Sequence, residues 1–171
     1  EVLRTGISHN HNLSISGGSE KTKYMASLNY MGNNGVIRGT SMRRANARSL
    51  LSTHVLKNHL ELSVGVNAMF GAHQGVPVTG YNQSVLDAMN YYSPTNPIKD
   101  NSGSWYDSPF GTNNYNPLSL INEDGNEFSW RRMQLVAKAK LQIVKDIEWN
   151  THYAYSTGQR MFACYNSSQS Q

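Results

Sequence analysis

A chain of 171 residues with 15 Lys and Arg against 11 Asp and Glu carries a formal net charge of +4 and a pI near 9.2, yet its cations are scattered and no nucleic-acid motif accompanies them, so no nucleic acid is expected as a partner. Hydrophobic residues make up 38%, mean hydropathy is −0.56 and no long apolar run occurs; this excludes a membrane-spanning helix but not a membrane β-barrel, whose strands need apolar residues only at alternate positions. The single cysteine, Cys164, excludes an intrachain disulfide.

Taken in order, the sequence predicts six strands. The first, about 9–17, sets Leu13, Ile15 and Gly17 on one face and Asn12, Ser14 and Ser16 on the other. A turn at Gly17-Gly18-Ser19-Glu20 leads to the second, about 22–32, where Tyr24, Ala26, Leu28 and Tyr30 alternate with Met25, Ser27 and Asn29. The third, about 42–56, is ragged, with Ala47, Ser49, Leu51, Thr53 and Val55 as its less polar side. Lys57-Asn58 turns into the fourth, about 59–71, where Leu60, Leu62, Val64, Val66, Ala68 and Phe70 share a face. The fifth, about 128–144, alternates Met133, Leu135, Ala137, Ala139, Leu141 and Ile143 with Gln134, Val136, Lys138, Lys140, Gln142 and Val144. Lys145-Asp146 turns into the sixth, about 147–157, with Ile147, Trp149, Thr151, Tyr153 and Tyr155 opposite Glu148, Asn150, His152, Ala154 and Ser156.

Connections alternate between short turns and long segments, residues 33–41 and 72–127. Strands of ten to fifteen residues exceed the usual globular length, and loops sorted by end suit a membrane barrel of antiparallel up-and-down hairpins. Tyr24, Tyr30, Phe70, Trp149, Tyr153 and Tyr155 fit either interfacial aromatic girdles or cross-strand packing in a soluble sheet. Within 72–127, Asn82-Gln83-Ser84 reads as the cap of a short helix through Val85, Leu86, Ala88 and Met89, ended before Pro94.

The run from Asn10 to Tyr24, NHNLSISGGSEKTKY, closely resembles the barrel opening of SusC/RagA-type TonB-dependent outer-membrane transporters. Asn33 to Thr40 resembles the family's next loop, Arg43-Arg44-Ala45-Asn46-Ala47-Arg48 its following strand start, and 93–106 its extracellular "NPTxPxxxxDGxxY" loop. The likeness weakens towards Ser156. It implies an all-β fold: residues 1–171 as part of a large transmembrane β-barrel in the bacterial outer membrane, with one long extracellular loop containing a short helix. It also implies import of oligosaccharides or peptides, a SusD-like lipoprotein as lid, energy coupling through TonB, and the plug and other strands of a longer protein. No signal peptide is read at Glu1, so an internal segment is expected. The rival reading is a soluble all-β carbohydrate- or peptide-binding module.

Trp105, Tyr106, Phe110 and Tyr115, set among Asn, Gly and Ser, are the candidate ligand contacts in the long loop; they suit stacking on a sugar or gripping a peptide, and equally a small core of the loop itself. Glu61, Asn67, Lys138, Lys140, Glu148 and His152 are the candidate lumen-facing residues. His9 and His11 share a strand face, but no third ligand stands nearby, and neither metal nor cofactor is expected. No nucleophile elbow, phosphate loop or zinc signature occurs, so no enzyme activity is expected.

Overall fold

The computed structural model describes residues 2–57, 59–76, 84–106 and 115–168. Six antiparallel strands, β1 (Ile7–Gly18), β2 (Thr22–Asn34), β3 (Ser41–Val55), β4 (Leu60–Gly75), β5 (Asp124–Val144) and β6 (Ile147–Asn166), form one sheet in the order β1-β2-β3-β4-β5-β6. Every strand bonds only to its neighbours in the chain, so the architecture is all-β and up-and-down, as the sequence predicts. No helix among the described residues is long and apolar enough to cross a membrane, which bears on helices alone.

Alternation sets the faces, and the register carries them across the sheet. Leu13 pairs with Leu28, Leu28 with Ala47, Ala47 with Ala68, Ala68 with Met133 and Met133 with Thr157. The next rows along the strands are Ile15, Ala26, Ser49, Val66, Leu135 and Tyr155, then Gly17, Tyr24, Leu51, Val64, Ala137 and Tyr153. Two further rows, Thr22-Thr53-Leu62-Ala139-Thr151 and Val55-Leu60-Leu141-Trp149, reach the short turns. These five rows contain no charged side chain. On this face charges begin only towards the long-loop end, with Arg131 beside Phe70 and Arg43 opposite Gly32.

Nothing covers this apolar face among the described residues. Leu13 is 69% exposed and Tyr153 62%, and Leu28, Leu51, Val64 and Trp149 also lie open. The buried core lies elsewhere, in the long connection between β4 and β5. There α1 (Val85–Tyr91) packs on α2 (Pro117–Glu123) through Val85, Ala88 and Leu120. Val2, Ile37, Val76, Met89, Tyr115 and Ile121 pack around them, which draws the segment before β1 and the β2–β3 loop under the long connection.

Short turns use local chemistry. Ser19 Oγ accepts from Thr22 N–H at 3.2 Å, and Gly18 sits where a Cβ would strike the Thr22 carbonyl. Between β3 and β4, Leu56 (φ 51°) and Lys57 (φ 55°) both take left-handed backbone without glycine.

Several expected boundaries shift. β4 runs on to Gly75, β5 begins at Asp124 and β6 continues to Asn166, because 124–132 find a partner in 158–166 beyond the end of the visible alternation. A register shift between Gln142 and Val144 pairs Val144, rather than Ile143, with Ile147. Ser84 is the cap of α1, its Oγ accepting from Asp87 N–H, while Asn82 and Gln83 lie outside the described residues. The second helix, α2, is an addition to the one expected.

Candidate functional site

Opposite the apolar face lies a polar one. All six residues read as lumen-facing fall on it: Glu61 pairs with Lys140, Asn67 with Gln134, Lys138 with His152 and Gln142 with Glu148. Lys140 Nζ lies 2.9 Å from Glu148 Oε2, whose other oxygen accepts from Asn150 Nδ2 at 2.7 Å. His54 Nε2 lies 3.8 Å from Glu61 Oε2. Further hydrogen bonds tie the face together across strands, Asn29 Nδ2 donating to Asn10 Oδ1 at 2.8 Å and Ser52 Oγ meeting Ser63 Oγ at 2.8 Å.

At the middle of this face Gly65 stands between Leu50 and Val136 and leaves a hollow of about 530 Å³. Arg48, Lys138, Asn67, Gln134, Ser52 and Ser63 line it. Nearer the long-loop end, Trp130 lies across Gly71, where a Cβ would strike its ring. The same registered row holds Arg44 and Arg160, with Arg132 one row below. These arginines and Trp130 were not among the expected site residues. Alternation from Phe128 through Trp130 and Arg132 to Gln134 carries the signal for one side. In β3 the adjacent pair Arg43-Arg44 hides it, because one arginine falls on each face.

The long loop presents its aromatics differently. Trp105 Nε1 donates to Glu123 Oε1 at 2.9 Å, and Lys99 Nζ sits 4.5 Å from the centre of the same indole. The bond from Trp105, with further help from Ser167 and the Lys99 charge, holds the Glu123 carboxyl below its ordinary range. Tyr115 packs on the Val85–Leu120 core, and Tyr106 is half-buried with its N–H donating to the Ile98 carbonyl. Phe110 lies outside the described residues. The tip between Lys99 and Trp105 closes on Asp100, whose Oδ1 accepts from the Ser102 hydroxyl and from the Ser102 and Ser104 N–H groups. Chiefly the Ser102 hydroxyl lowers that carboxyl's pKa.

Asn116 locks the loop to α2. Its Oδ1 accepts from Leu118 N–H at 3.0 Å and its Nδ2 donates to Ile98 O at 2.8 Å. His9 and His11 keep ring centroids 5.3 Å apart, with His9 stacked on Tyr30; among the described residues no three His, Cys, Asp or Glu side chains gather where they could hold a metal ion.

No family model matches the chain. Over 121 residues, 68% of the chain, it is 27% identical to the TonB-dependent receptor SusC of Bacteroides thetaiotaomicron. Over 164 residues, 92% of the chain, it is 24% identical to the TonB-dependent receptor P3 of Formosa agariphila. The chain is thus weakly similar to two TonB-dependent receptors. It spans 12% and 16% of the lengths of these two receptors. The likeness to TonB-dependent receptors agrees with a sheet of long hairpins whose apolar face is open and whose polar face is richly hydrogen-bonded.

Proposed function

We propose that this segment forms part of the barrel wall of a SusC/RagA-type TonB-dependent transporter in the bacterial outer membrane. On this reading the apolar face meets lipid, the polar face lines the lumen, the short turns are periplasmic and the described parts of the long connection, 84–106 and 115–123, lie over the extracellular mouth. The whole protein imports oligosaccharides or peptides with a SusD-like lipoprotein, and TonB supplies energy through the plug.

The observation that carries the reading is the uncharged, uncovered band on one face. From Leu60 to Ala68, β4 places five apolar side chains in those uncharged rows. Eight steps at about 3.4 Å cover roughly 27 Å, which at a barrel tilt of about 35–45° projects to about 19–22 Å. An outer-membrane barrel carries an apolar band of about 25 Å, so the uncharged rows account for most of that height. A soluble all-β module would need a second layer over that face, and the described residues supply none.

The test is fractionation of the full-length parent. It is expected in the outer membrane, extractable only with detergent and migrating differently on gels before and after heating. A freely soluble parent with heat-independent migration would remove the transporter reading and leave a soluble binding module in its place.

A further inference from the structure

We propose, resting on the reading of the apolar face as the lipid face, that its long-loop end binds the phosphate headgroup of an anionic lipid through Arg43 and Arg131. Within the strands this face carries its charged side chains at one end only. Arg131 stands in the first row past the five uncharged ones, Arg43 in the second and Glu127 in the third. Both arginines are exposed, and among the described residues no ion pair joins either to Glu127 or to another acid. At the short-turn end the strand positions of this face carry no charge, and charged residues there, such as Lys57 and Lys145, belong to the turns. A cation that serves only to snorkel is as useful at either edge of an apolar band. Placement at one edge alone points to an anion on that side of the membrane.

The two arginines flank β4, one on β3 and one on β5. Two strand spacings and one row of offset put their Cα atoms roughly 12 Å apart, a gap that two extended arms close over one headgroup. Arg43 pairs with Gly32 and Ala72, and Ser129 follows in the same row, so small residues leave room for that headgroup. Guanidinium planes hold phosphate oxygens through two parallel N–H bonds. Phe70, 54% exposed, pairs with Arg131, and a shallow hollow of about 270 Å³ runs past them along Met133, Thr157 and Gln159. Cations beside an apolar groove repeat the order of parts in a lipid, phosphate first and acyl chain after. At the same level His9 stacks on Tyr30, and such amphipathic rings suit the boundary between headgroup and hydrocarbon. A soluble anion gains nothing from the adjoining apolar rows, so the phosphate is assigned to a lipid.

The test uses the full-length parent in neutral detergent, titrated with lipid A and with dephosphorylated lipid A of the same acyl chains. The phosphorylated form is expected to bind about tenfold more tightly, a preference of about 1.4 kcal/mol, which shrinks as salt rises. Arg43→Gln combined with Arg131→Gln is expected to remove the preference while heat-modifiable migration stays unchanged. Arg44→Gln combined with Arg132→Gln, neighbours in sequence on the opposite face, is expected to retain it. Equal binding of the two forms, binding of neither, or competition by inorganic phosphate at equal concentration would each overturn the proposal. So would a folded first variant that keeps the preference, or a native dimer that this variant alone dissolves, which would give the patch to a second copy. If the first variant does not fold, the native lipid pair and Arg131→Gln alone decide by the same criteria. Loss of the preference in the second variant instead would reverse the two faces, so an error in the underlying reading is told apart from an error in the ligand.

Discussion

Leu135 and Gln134 are adjacent in sequence and opposite in circumstance. Leu135 pairs with Val66 and Tyr155 in the uncharged rows, and Gln134 pairs with Asn67 and Ser156 beside the hollow. An arginine at the first position has only apolar neighbours and, on the proposed reading, lipid. Leu135→Arg is therefore expected to destabilise the folded parent by about 2–4 kcal/mol, the range for a cation near the middle of a barrel's outer wall. Gln134→Arg, exposed to a watery polar face, is expected to change stability far less. Equilibrium unfolding in lipid vesicles compares the two, and equal losses would count against the assignment of faces. At this scale the sequence was readable wherever alternation was clean, as for Leu60 to Phe70. It was unreadable in β3, where Arg43 and Arg44 stand side by side and only the register separates them. Trp130 escaped notice because its partner is an absence, the missing side chain of Gly71.

Among the elements, the long connection is the one that carries its own core. Pro117 at the first turn of α2 and the Asn116 cap were a start signal in plain view, but so short a helix has too little periodicity to stand out. The loop aromatics could have been ligand contacts or packing groups from composition alone; what separates the two for Trp105 is its bond to Glu123, which lies 18 residues away. That bond makes a prediction about acid. The folded-state pKa of Glu123 is depressed, so the contribution of its carboxylate is present above the ordinary carboxylate range and is lost as pH falls through the depressed value. Hydrogen–deuterium exchange in 98–106, corrected for intrinsic pH dependence, is expected to accelerate on acidification. Glu123→Gln keeps an acceptor without a titrating charge and is expected to flatten that profile. An unchanged pH response in the variant would assign the effect to another group.

Seen whole, the sheet ends in two edges, β1 and β6, each a long strand bonded on one side only. Unpaired strand edges recruit other strands, and these two lack the inward charges or prolines that ordinarily block such pairing over much of their length. Residues 1–171 expressed alone are expected to form oligomers or aggregates in detergent, seen by size exclusion and cross-linking. A stable monomer would mean that the edges close on each other or are otherwise covered. The up-and-down order itself was legible in the sequence, since short turns force chain neighbours to pair. How far β5 and β6 extend together was not, because 158–166 has no alternation to mark it as a strand.

That strictly sequential order has a consequence for descent. No strand depends on a distant partner, so a two-strand hairpin can be duplicated or deleted and the remaining registers survive intact. Such a wall can change circumference by whole hairpins across generations while the long connections, whose compact core rests mainly on loop residues, diverge on their own.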